Sequence, residues 1–144
     1  MRPFSNIAAG YDGSTDATVA VQWALLAAHE MGATVTIVHA SGLLEHLRTR
    51  FSPDELPPAL QILAEECAFD ERRIRWLVTE GDACSVLLRM ASAPINADML
   101  VVGSRGEGKR DGLLLGSTSL EVAEHSVVPV VVVPSNYADA EGVV

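Results

Sequence analysis

Residues 97–134 read ADMLVVGSRGEGKRDGLLLGSTSLEVAEHSVVPVVVVP. The segment opens on one apolar run, ADMLVVG (97–103), and closes on another, PVVVVP (129–134), bracketed by prolines. Runs this short and this rich in valine predict buried strands. Between them lie a glycine-rich loop and then STSLEVAEHS (117–126), which predicts a short helix. A strand, a helical crossover and a second strand imply parallel pairing, because the crossover carries the chain back to the end of the sheet from which it started.

The same alternation runs back to the N-terminus. NIAAGY (6–11) is a short apolar run ended by the turn signal Asp12-Gly13-Ser14. Ser14 can cap a helix that reaches Met31, with Val19, Trp23, Leu26, Ala27 and Glu30 recurring at three- and four-residue steps, only the last polar. Gly32 stops that helix, and ATVTIVHA (33–40) predicts a strand covered on both faces. SGLLEHLRTRFSPDEL holds a helical fragment and a break at Ser52-Pro53. A second helix is expected from Pro57 or Pro58 to about Glu71, since proline suits a first turn. RRIRWLVTEG (72–81) predicts a strand, and Asp82 caps a third helix with Val86, Leu87, Met90 and Ala91 on one face. The order β-α-β-α-β-α-β-α-β predicts one α/β domain over residues 1–134, doubly wound, with helices on both faces of a parallel sheet. The small, acidic tail 135–144 is expected to be flexible.

Bulk properties narrow the function. A chain of 144 residues fits one domain, and 49 % apolar with 20 % charged residues excludes wholesale disorder. The net charge of −9 argues against a nucleic-acid or anionic-membrane surface, where a basic stripe is expected. It leaves room for a small anion held by backbone N–H groups. Cys67 and Cys84 form no CxxC or zinc pattern and read as small buried or half-buried thiols. No leader pattern opens the sequence and no apolar run approaches the ~18 residues of a membrane span, so a cytoplasmic protein is expected.

In a doubly wound sheet, ligands bind beyond the carboxyl ends of the strands where strand order reverses. The first strand ends at Asp12 and the fourth at Gly103, so both are expected at one crevice. Two phosphate-loop templates fail on the glycine loop. GxxxxGK fits residues 103–109, but Arg110 stands where a P-loop needs Ser or Thr for Mg²⁺. GxGxxG begins at Gly106 and Gly108, but Asp111 replaces its third glycine. A third pattern, G-x2-G-x9-G-[ST], fits Gly103, Gly106, Gly116 and Ser117 at every fixed position.

With that motif, and with GYDGS, VTIVHA, ADMLVVGSRG and GSTSLEVAEHSVVPVVVVP in this order, nearly the whole chain resembles the universal stress protein family, in particular its nucleotide-binding branch. The resemblance implies strand order 3-2-1-4-5, a homodimer through the last strand (Val130–Val133), and ATP as ligand, with AMP or ADP as alternatives and Mg²⁺ accompanying the phosphates. Asp12 matches the aspartate beside the nucleoside, and Gly10 and Tyr11 line the same strand end. Ala40 corresponds to the residue whose backbone reads the adenine edge. Val102 is the apolar position before the first motif glycine, and Arg105 lies where it can reach phosphate.

Chemistry gives these positions separate readings. Gly103 and Gly106 allow backbone to approach ribose and phosphate, and Gly116, Ser117, Thr118 and Ser119 open a helix whose first N–H groups can hold phosphate oxygens. Equally, Thr118 and Glu121 fit a capping box, and Asp12 fits an Asx-turn or helix cap. His39 reads as a packed core histidine rather than a catalyst, and His29, His46 and His125 show no metal-ligand spacing. Trp23 and Trp76 read as packing residues. Lys109 and Arg110 read as solvated loop charges, and Leu113, Leu114 and Leu115 as packing under the loop or at an interface.

The expected function is a regulatory module that binds an adenine nucleotide with little or no hydrolysis, signals through a downstream protein, and uses no catalytic residue or protein-held metal. The alternatives are a slow ATPase or nucleotide-transferring enzyme, with Glu107 or Asp111 to position water, and a dimeric stress protein with an empty pocket.

Overall fold

The computed structural model of the chain describes residues 4–42, 51–104 and 115–137. The elements follow as β1 (Asn6–Gly10), α1 (Thr15–Met31), β2 (Thr34–Ser41), α2 (Pro58–Glu66), β3 (Ile74–Glu80), α3 (Ala83–Arg89), β4 (Met99–Gly103), α4 (Ser117–His125) and β5 (Val130–Val133). The five strands are all parallel, in the order β3-β2-β1-β4-β5. This is the expected doubly wound sheet, and strand order reverses between β1 and β4.

Local chemistry sets the element ends. The Ser14 hydroxyl accepts from the Ala17 N–H at 3.1 Å and starts α1. Gly32, at φ 67°, closes that helix in the left-handed conformation. The Asp82 carboxylate accepts from the Ser85 N–H at 3.0 Å and starts α3. The second helix is shorter than its sequence suggests. It ends at Glu66, Ala68 turns to φ 52°, and residues Glu71–Arg73 form a single 3₁₀ turn. Asp70 explains the break, because its carboxylate accepts from the Arg72 N–H at 2.9 Å and offers the backbone an alternative to a continuing helix.

The core lies in two layers, one on each face of the sheet. Alternate residues of the strands face opposite sides, as the strand period of two requires. Ile7, Ala9, Val35, Ile37 and Val101 pack under α1 and α2, whereas Ala8, Val38, Leu100 and Val102 pack under α3 and α4. The buried face of α1 includes Ala17, Val19, Ala20, Val21, Ala24, Leu25 and Ala28, so Val19 is buried as expected, whereas Trp23, Leu26 and Ala27 are only half-buried. Val19, Val21 and Leu25 are therefore the large side chains of the buried face, with alanines between them, and Trp23, Leu26 and Ala27 lie on its flank. Beyond β5, Tyr137 packs against the α1 side of the core, and its N–H donates to the Pro134 carbonyl at 3.1 Å. No helix among the described residues is long and apolar enough to cross a membrane.

Candidate functional site

Parallel strands open all their carboxyl ends on one side, so the ends of β1, β2 and β4 share a crevice at the β1–β4 reversal. Its β4 end is built from main chain. Gly116 stands at the N-cap of α4 with φ −75° and ψ 164°, and it brings no side chain to cap the helix. Two bonds fix that helix start against β4. The Gly116 N–H donates to the Ser104 carbonyl at 2.7 Å, and the Ser119 hydroxyl donates to the Gly103 carbonyl at 2.6 Å. The Ser104 N–H in turn donates to the Val133 carbonyl at 3.0 Å, tying β5 into the same corner.

The capping box expected from Thr118 and Glu121 does not form. Thr118 sits in the second position within α4, not at its cap, because the Gly116 bond to Ser104 starts the helix two residues earlier. Ser117 is exposed, Thr118 half-buried and Ser119 buried, and the first N–H groups of a helix have no partner within it. The partial positive charge of a helix N-terminus adds to this donor set. Gly103, Gly116, Ser117, Thr118 and Ser119 are thus brought together. Arg105 and Gly106 lie outside the described residues, as do Glu107, Lys109, Arg110, Asp111, Leu113 and Leu114.

At the other end of the crevice, β1 leaves the sheet through a tight turn. Asp12 accepts from the Ser14 N–H at 2.9 Å through one carboxylate oxygen, and Gly13 follows at φ 86°. This is the Asx-turn reading of Asp12, and it turns the carboxylate at the mouth of the crevice without consuming both oxygens. Tyr11 contributes main chain only. Its ring is buried, 5.6 Å from the Phe51 ring and 6.3 Å from the Trp76 ring between centroids. Gly10 has a packing reason of its own, since a Cβ there would sit 3.2 Å from the Leu87 methyls. Val102 is buried in the α3–α4 layer, and Ala40 is half-buried against the same layer.

Gly103 meets a different demand from the one its motif suggests. A Cβ on it would lie 2.8 Å from the Asp16 carbonyl oxygen, inside any real contact. The glycine permits the first turn of α1 to touch the end of β4.

Three contributors lie outside the motif. Ser104 links β4, β5 and α4 through its backbone, and the only signal is its place beside Gly103. Phe51 packs on Tyr11, Trp76 and His39, the last at 4.8 Å between centroids. Ser52 accepts from the Trp76 indole N–H at 2.8 Å through its carbonyl, so this segment flanks the β1–β2 ends. His39 is buried, as expected, with Nδ1 at 2.8 Å from the Tyr11 carbonyl oxygen. Among the described residues, no group of three or more His, Cys, Asp or Glu is arranged to hold a metal ion.

Comparison with known proteins agrees with this architecture. The model of the universal stress protein family matches residues 3–134. A Thermus aquaticus protein described as "Universal stress protein in QAH/OAS sulfhydrylase 3'region" is 32 % identical over 136 residues, covering 90 % of this chain and 98 % of that one. A crystal structure of a universal stress protein in complex with cAMP is similar at 25 % identity and TM-score 0.68, over 92 % of this chain and 98 % of that chain. A universal stress protein from Archaeoglobus fulgidus is similar at 26 % identity and TM-score 0.66, over 91 % of this chain and 44 % of that one.

Proposed function

The chain belongs to the universal stress protein family, and from that premise we propose that it is a cytoplasmic regulatory module that binds an adenine nucleotide, ATP in the first instance, with little or no hydrolysis. The observation that carries this reading is the main-chain corner at Gly116, fixed by its bond to Ser104 and by the Ser119 bond to Gly103. The first N–H groups of α4 and the hydroxyls of Ser117 and Thr118 are the donors for phosphate oxygens. Each such contact to a charged group is typically worth about 1.5–3 kcal/mol, enough in combination to outweigh the repulsion of an acidic chain. The second oxygen of Asp12 suits ribose hydroxyls, and the main chain of Ala40 suits the edge of the base. The cAMP complex of a relative supports an adenine nucleotide as the class of ligand. Mg²⁺ would arrive with the phosphates, whose oxygens suit that ion better than the side chains at this corner. The homodimer is assigned to the β5 edge, and output to a downstream protein.

The test begins with protein purified without added nucleotide, denatured, and assayed for what it releases. ATP is then supplied and followed to ADP over hours. Retained ATP without turnover is the expected result. Sustained release of ADP in excess of protein would make the chain an enzyme instead. Absence of released nucleotide, with no thermal shift on adding ATP, would leave an empty scaffold. Gly116→Val gives a sharper check. The backbone angles at Gly116 suit any residue, so the substitution should lower stability by no more than about 1 kcal/mol. It should nonetheless remove ATP binding measured by calorimetry, because the branched side chain fills the corner. Undiminished binding would place the phosphates elsewhere.

A further inference from the structure

The paired register of β1 and β2 runs from Asn6–Thr34 to Gly10–Val38 and stops there. Its last rung is the Tyr11 N–H donating to the Val38 carbonyl at 2.9 Å. In a parallel ladder one residue bonds to the two neighbours of its partner, so the next rung would join the Ala40 N–H to the Tyr11 carbonyl. That rung would extend the register to Tyr11–His39, which is not paired. The His39 imidazole meets the Tyr11 carbonyl oxygen instead, Nδ1 to oxygen 2.8 Å, at a residue only 2 % exposed. A carbonyl oxygen only accepts, so Nδ1 carries the proton in this bond.

Ala40 also has no rung on its other side. The Gly81 N–H donates to the Ser41 carbonyl at 3.1 Å, so Ser41 and, by alternation, His39 point their backbone groups toward β3. Ala40 therefore points its N–H and carbonyl toward β1, past the point where β1 has turned away at Asp12-Gly13.

We propose that His39 is a positioning residue for the base: by holding the Tyr11 carbonyl it ends the β1–β2 ladder one rung early and leaves the Ala40 N–H to donate to a ring nitrogen of adenine. The proposal rests on the nucleotide reading above and adds the residue that keeps the base edge open. Phe51, edge-on to the imidazole at 4.8 Å, keeps the ring in place.

The test uses the full chain as wild type, His39→Phe and His39→Asn. Asparagine puts an N–H close to the position of Nδ1, whereas phenylalanine keeps the ring and loses the donor. In nucleotide-free wild type, the Ala40 amide should exchange with solvent at least about tenfold faster than that of Val38 and become protected on adding ATP. An Ala40 amide already as protected as Val38 overturns the proposal with no variant needed. In His39→Phe, the vacated carbonyl should take the Ala40 N–H. ATP affinity should then fall about tenfold, with affinity for inorganic tripolyphosphate unchanged. His39→Asn should recover most of the ATP affinity. Equal losses for ATP and tripolyphosphate, or an Asn variant no better than Phe, would reduce His39 to a packing role. A wild type that binds no ATP at all overturns the nucleotide reading itself, and the ligand named here with it.

Discussion

A Cβ built on Gly103 would sit 2.8 Å from the carbonyl oxygen of Asp16 and 2.9 Å from its carbonyl carbon. Both are backbone atoms in the first turn of a packed helix, so neither can move aside cheaply. Gly103→Ala should therefore cost about 1–3 kcal/mol in urea-induced unfolding, the range for overpacking a tight interior. A loss of only a few tenths would show that α1 can shift. The motif was legible in the sequence, but this reason for its first glycine was not, because Asp16 is distant in the chain and nothing local marks it as a neighbour. Tyr11 teaches the same lesson. Its place at the strand end could be read, yet the direction of its ring depends on Phe51 and Trp76, which only the fold brings to it.

Helix ends were the most readable elements. Ser14, Gly32 and Asp82 act where their local chemistry predicts. Asp82 also makes a pH-dependent prediction. The hydrogen bond from the Ser85 N–H holds its carboxyl below the ordinary carboxylate pKa. A carboxyl lowered on folding adds stability above its unfolded pKa, near 4, and loses it as pH falls through the folded value. Asp82→Ala should therefore lower Tm at pH 7, and the gap to wild type should narrow as the pH drops below about 4. A gap that stays constant with pH would mean the cap acts by shape alone. Where two local signals competed, the sequence was ambiguous. Thr118 and Glu121 spell a capping box, but the bond from Gly116 to Ser104 starts α4 earlier, a choice made by tertiary contact. In α1 the alanine content spreads apolar residues around the helix, so periodicity alone could not separate the buried face from its flank.

For the whole molecule, the alternation of strands and helices was enough to specify a parallel sheet, and the resemblance supplied its order. The β5 edge is where the molecule meets a second copy under the reading above. Leu100 donates to the Pro129 carbonyl and Ser104 to the Val133 carbonyl, so residues 129, 131 and 133 turn their backbone groups toward β4. Val130 and Val132 turn theirs outward. Val132→Pro removes one outward N–H and no rung to β4, a position where an edge strand tolerates proline. It should keep the fold by circular dichroism and leave monomers of 15.3 kDa in analytical ultracentrifugation, where wild type is expected to sediment at twice that mass. A wild type that is already monomeric would remove the dimer from the account. The touch of α1 on β4 also reaches beyond stability. It acts as a caliper, setting how closely the first turn of α1 comes to the carboxyl end of β4. Changes that spare Gly103 leave that contact in place, so descendants of this chain with a taste for other ligands would acquire it most cheaply at the rim, around Phe51 and Ser52.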